Sequence, residues 1–140
     1  MAVHVLAVLA YAQGDRVTSV ALAGSVNTNP VIIRRLLLAL QRAKLIETRK
    51  GAGSGSRLSR SPGRINLGEV YRAVEDPFLF AMPHAHPDYN CPVGSFIETT
   101  LETIFSSARE SLERDLAQTT LADIVPAAKT RTFRPSSRNA

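Results

Sequence analysis

Two groups of residues in this chain have types and spacing that could do chemistry. The first begins with Thr28, Asn29, Val31, Arg34 and Arg35 and continues with Arg49, Lys50 and Arg57. Polar and basic side chains near the start of a helix are where a DNA-reading helix meets base edges. An arginine there can grip guanine bidentately. Arg49, Lys50 and Arg57 flank Gly51-Ala52-Gly53-Ser54-Gly55. Glycines let the backbone come close to phosphates or a minor groove, and the three cations supply charge. The second group is His84, His86 and Cys91. A thiolate is a nucleophile and a redox centre, and all three side chains are metal-ligand types. Their spacing matches no metal motif, so no metal site is assigned. Cys91 precedes Pro92 at a predicted helix start, where backbone N–H groups and the helix dipole favour the thiolate. The plainer alternative is a small buried apolar residue.

The elements that must position the first group are legible in order. Asn29 suits an N-cap and Pro30 the first helical turn. Ile33, Leu36, Leu37 and Leu40 then recur at helical spacing, which predicts one buried face with Arg34 and Arg35 on the other side. A plain amphipathic helix with solvated arginines has the same pattern, and the hairpin that follows argues against it. Upstream, Ala2 to Gln13 reads as an apolar helix with Val5, Leu6, Leu9 and Ala10 inward, and Gly14-Asp15 as the turn out of it. Thr18 or Ser19 caps the next helix, whose Val20, Ala21 and Ala23 suit close packing. Asn27-Thr28 is the turn between the two helices. Leu45 to Thr48 predicts a strand and Leu58 lies on the returning one. The segment Arg49 to Arg57 between them reads as a loop too flexible to pack. Short helix, polar turn, basic helix and hairpin in this order make a winged helix-turn-helix. A nucleotide-binding loop is rejected, because the glycine run lacks a following Lys-Ser/Thr and a βαβ setting.

Further on, Asn66 caps a predicted helix from Leu67 to Val74 with Leu67, Val70, Tyr71 and Val74 inward. A linker rich in proline and histidine follows. A long helix from Val93 to Ala117 comes next. Its Ile97, Leu101, Ile104, Ala108 and Leu112 form a narrow apolar seam flanked by Phe96 and Phe105, with Glu98, Glu102, Glu110, Glu113 and Arg114 opposite. The seam either packs on its own chain or meets a partner helix. The second reading is preferred, because the winged part already has a core. Thr120 starts a last short helix, Leu121 to Val125. The expected organisation is a winged helix-turn-helix domain at 1–75, a linker and candidate sensor loop at 76–92, a dimerisation helix with a short terminal helix at 93–125, and a disordered tail at 126–140. The fold class is mainly α with a small β-hairpin wing.

Composition agrees. With 140 residues, 44% hydrophobic and 21% charged, the chain can bury one real core with an appendage. The formal charge of +5 is uneven. Up to Arg64 there are ten Lys or Arg against Asp15 and Glu47, a net of +8; from Ile65 there are seven against ten, a net of −3. A basic amino-terminal half is what phosphate binding requires. No apolar run reaches the roughly 18 residues of a membrane span, and Met1 to Tyr11 lacks a basic leader. One cysteine excludes an intramolecular disulfide framework and suits a reducing cytoplasm. No carboxylate pair, Ser-His-Asp or Cys-His arrangement has a catalytic setting, so an enzyme is not expected.

SVNTNPVIIRRLL, LIETRKGAGSGSRL, INLGEVYRAVE, CPVG before a long helix, and TLADIV together resemble the Rrf2 family of bacterial winged-helix transcription regulators. The resemblance runs from Val3 to Val125. It implies a homodimer joined through the long helix, two recognition helices in successive major grooves of double-stranded DNA, and control of promoters, with repression the expected sign. It places Asn29 to Arg35 on the base-contacting segment and Arg49 on the wing. Family members that hold an iron–sulfur cluster use three cysteines, whereas this chain has only Cys91. The resemblance is therefore to the cluster-less branch with a single CPVG cysteine, and no cofactor is expected. A redox or small-molecule signal received at Cys91, His84 and His86 is the expectation for this linker. The rival reading is a protein-interaction module whose long helix binds a different protein and whose basic half is merely solvated.

Overall fold

A computed structural model describes residues 1–74 and 85–125. The tail from 126 and residues 75–84 of the expected linker lie outside the described residues, and with them His84. Apolar spacing makes α1 (Ala2–Tyr11), which buries Val5, Leu6 and Leu9 and also Ala2 and Val8. Ala10 is only half-buried. Helix α2 (Ser19–Val26) is capped by Thr18, whose hydroxyl accepts from the Ala21 N–H at 3.2 Å. Its core residue is Leu22, with Ala23 beside it. Val20, expected to pack, is 64% exposed. It stands two positions from Leu22 and so points to the other side of the helix.

The turn out of α2 places Asn27 at φ +60°, which asparagine tolerates better than most residues. The Thr28 N–H closes that turn on the Ala23 carbonyl at 3.0 Å. Asn29 then caps α3 (Pro30–Arg42), its Oδ1 accepting from the Val31 N–H at 2.8 Å. Ile33, Leu37 and Leu40 are buried along one stripe, and Leu36 is partly covered. Strands β1 (Ile46–Arg49) and β2 (Gly55–Leu58) pair antiparallel, with Ile46 opposite Leu58 and Arg49 opposite Gly55.

The hairpin corrects one expectation. The loop is shorter than Arg49 to Arg57, because Gly55, Ser56 and Arg57 belong to β2. Ser56 is buried and bonds in both directions with the backbone of Val17, at 2.9 Å each. Its hydroxyl meets that of Thr48 at 3.0 Å. Gly55 lies against Val17 so closely that a Cβ would stand 2.9 Å from its backbone. The segment that starts the helix-turn-helix therefore fixes the root of the hairpin.

A 3-10 turn, Pro62–Arg64, leads to α4 (Leu67–Val74). Asn66 caps α4 reciprocally: its Oδ1 accepts from the Glu69 N–H at 3.0 Å and its own N–H donates to the Glu69 carboxylate at 3.2 Å. Helix α5 (Ile97–Leu116) and the one-turn α6 (Leu121–Ile124) complete the described order. α6 does not belong with α5. Leu121 is fully buried in the same core as Leu6, Leu9, Ile33, Leu40 and Ile65. Its N–H donates to the Ile65 carbonyl at 2.9 Å, and the Leu67 N–H donates to Thr119 at 2.9 Å. The chain from Thr119 to Leu121 thus returns to the amino-terminal unit.

Candidate nucleic-acid interface

Helix α3 is held by its buried stripe, so the opposite stripe must face outward. Val31, Arg34 and Arg35 are exposed there as expected, and Leu38 and Arg42 extend the stripe. Neither Arg34 nor Arg35 makes a hydrogen bond or ion pair with a described residue. Their guanidinium forks are free for an outside partner. Asn29 has its oxygen committed to the cap, which leaves its NH2 to donate. Thr28 is half-buried at the turn.

The wing separates the three expected cations. Arg49 ends β1 and Lys50 enters the loop, both exposed and without a partner among the described residues. Arg57 is different. Its Nε and guanidinium nitrogen lie 3.1 and 3.0 Å from the Glu47 carboxylate directly across the strands. The structure thus corrects its expected place in the loop, and its charge is met locally by Glu47. Sequence reasoning missed Arg16, which donates to the carbonyls of Glu47 and Gly55 at 3.3 Å each and ties the hairpin to the segment before α2. Nothing in the residue order signals such a contact, which spans more than thirty positions.

Cys91 is exposed rather than buried. The helix expected from Val93 begins at Ile97, so Cys91 stands a turn ahead of it. That turn is local: the Ser95 N–H donates to the Cys91 carbonyl at 3.0 Å and the Cys91 N–H to Asp88 at 3.1 Å. Gly94 permits it, since a Cβ would run into the Asp88 carbonyl. The backbone N–H groups of Gly94 and then Val93 hold the Cys91 thiol below its ordinary range. His86 does not turn to Cys91. Its Nδ1 lies 3.2 Å from Glu98, which also accepts from the Tyr89 hydroxyl at 3.0 Å. That bond raises the Tyr89 hydroxyl above its ordinary range. Among the described residues no three His, Cys, Asp or Glu side chains gather as a metal site.

The long helix carries the expected seam. Ile97, Leu101 and Leu112 are half-buried, Ala108 is exposed, and Ile104 is 54% exposed. No residue of α5 is buried. α4 meets it on another face, where Gly68 sits against the Glu113 carbonyl and Ala117. Between the two helices lies an open groove of about 290 Å³ bordered by Arg72, Glu110 and Arg114.

A hairpin directly after a helix-turn-helix whose second helix carries exposed arginines is the arrangement of a winged DNA-binding protein. The family description "Rrf2: iron-dependent transcriptional regulator" matches residues 1–127. The chain belongs to the Rrf2 family. It is similar to YwnA of Bacillus subtilis (strain 168), described as an HTH-type transcriptional regulator, at 37% identity over 89% of this chain and 92% of that protein. A crystal structure described as that of a DNA-binding protein superposes with a TM-score of 0.69 at 35% identity, over 88% of this chain and 94% of that one. The fold of T. potens IscR is alike too, with a TM-score of 0.62 at 21% identity over 95% and 87% of the chains. This Rrf2 chain is a DNA-binding transcriptional regulator.

The family description names iron. The chain has one cysteine, which is exposed and gathers with no other metal-ligating pair among the described residues, and its neighbour His86 is engaged by Glu98. A thiolate-held cluster takes several cysteines. The residues of this Rrf2 chain do not fit one. Among the described residues no helix is long and apolar enough to cross a membrane.

Proposed function

We propose that this regulator acts as a homodimer joined through α5 and places two α3 helices in successive major grooves of double-stranded DNA. The observation that carries this reading is α5 itself: twenty residues with none buried and an apolar stripe along one side. A second copy of the same helix would cover that stripe by an isologous contact. Arg34 and Arg35 take base edges, Val31, Thr28 and Asn29 lie beside them, and Arg49 and Lys50 take phosphates. The protein works in the cytoplasm, represses promoters, catalyses no reaction and carries no iron–sulfur cluster. Its signal, a redox change or small ligand, enters near Cys91. The exposed thiol and the backbone N–H groups that lower its pKa support this.

The test is a gel shift on promoter fragments across a salt titration. The dimer binds fragments with two half-sites far more tightly than scrambled ones. Arg34→Ala and Arg35→Ala are measured on both, and at least one lowers the specific-to-nonspecific ratio by the roughly 1–3 kcal/mol of a bidentate arginine–guanine contact. An unchanged ratio in both variants removes these arginines from base reading. Equal affinity of the wild type for every fragment favours the protein-interaction module instead.

A further inference from the structure

The outward stripe of α3 holds more than cations. Val31 is 48% exposed and Leu38 is 54% exposed. They lie two turns apart, so they share one stripe, and Arg34 and Arg35 stand between them on it. Single exposed apolar residues are ordinary on any surface. Two at one helical phase, bracketing two unpaired guanidinium groups, form a patterned surface. The same helix contains no acidic residue, and its one amide side chain, Gln41, is in the last turn. The Asn29 oxygen is spent on the cap. The first two turns therefore offer no carboxylate for a cytosine amino group and no free two-sided amide for adenine. They offer guanidinium forks and aliphatic surface. In the major groove guanine presents two acceptors and thymine presents a C5-methyl group.

We propose that α3 reads thymine through its C5-methyl group with Val31, and with Leu38 two turns further along the same stripe, while Arg34 or Arg35 takes the neighbouring guanine. The operator half-site then holds guanine beside thymines, and apolar contact contributes to the discrimination. This rests on α3 being the groove-reading helix.

The experiment starts from the full chain and a random-sequence duplex library. The enriched duplex is resynthesised with deoxyuridine in place of each half-site thymine in turn. At least one such change should weaken binding by about fourfold, the effect of one buried methylene-sized group. The penalty should vanish in Val31→Ala or in Leu38→Ala, because the contact has already been removed. Both residues are exposed, so neither variant opens the core, and circular dichroism checks this. A uracil penalty of the same size in the wild type and both variants overturns the proposal, since the methyl group then acts through duplex shape. No penalty at any thymine overturns it as well. Failure to enrich any sequence overturns the groove-reading role of α3 itself, a different result that removes the proposal with it.

Discussion

The winged unit and α5 use similar apolar residues to opposite ends. In the winged unit a set of leucines and isoleucines from several elements vanishes from solvent: Leu6, Leu9, Leu22, Ile33, Leu40, Leu45, Ile65 and Leu121 are all fully buried. In α5 an equally regular stripe is nowhere fully buried, although that helix is the longest described. Periodicity tells which side of a helix is apolar. It does not tell whether the covering surface comes from the same chain. The winged unit closes on itself, and the proposed dimer covers the α5 stripe with a second copy.

The largest effect that sharpens this contrast is at Leu121. Leu121→Ala should lower unfolding stability by about 2–5 kcal/mol, as for other buried leucines. Ile104→Ala in a dilute, dissociated sample should change it by no more than about 0.5 kcal/mol. Denaturant titration measures both, and similar losses would erase the distinction. Next is Ile104→Glu, which sets a charge in the open stripe. Light scattering should give half the wild-type mass while the winged unit still unfolds cooperatively. An intact dimer would mean that α5 packs on its own chain. Smaller effects separate the wing cations. Lys50→Ala should make the salt slope of DNA binding shallower by about one unit. Glu47→Gln should steepen the slope, because it frees Arg57 from its ion pair. If the slope ignores Glu47→Gln, Arg57 has no reach to phosphate. The smallest concerns Cys91. Its pKa is lowered, so the thiolate forms at lower pH, and the rate of alkylation should rise with pH through a midpoint below that of free cysteine. Gly94→Ala displaces the turn against Asp88 and should move that midpoint up.

Local signals were legible in the sequence wherever the physics is local. The caps at Thr18, Asn29 and Asn66, the turn at Asn27-Thr28 and the buried stripe of α3 depend on neighbours within five residues, and each could be read from spacing. Arg57 could not be placed, because its partner is fixed by the hairpin register, which sets Glu47 opposite it. Leu121 could not be assigned to the winged core, because a one-turn helix has no periodicity and its anchor, Ile65, is far away in the chain. Val20 and Leu22 were indistinguishable by type, and the packing of α1 on α2 chose between them. The start of α5 was missed by four residues. A proline favours a first turn, but the approach of Gly94 to Asp88 closes a separate turn there.

The return of the chain at Thr119–Leu121 fixes the angular phase of α5. Its carboxy-terminal end is bolted to the winged unit by the Gly68–Glu113 approach and by the Leu67–Thr119 and Leu121–Ile65 hydrogen bonds. Each residue inserted near its middle would swing the apolar stripe by about 100° and lengthen the arm by about 1.5 Å. In the proposed dimer, insertions of one or two residues would turn the two α3 helices away from a common face of DNA. An insertion of seven would bring the stripe almost back into phase with those helices set farther apart. In the proposed dimer the spacing of the two half-sites is thereby tied to the helical repeat of α5, so a change in the length of this helix acts on spacing where a change in its surface residues does not.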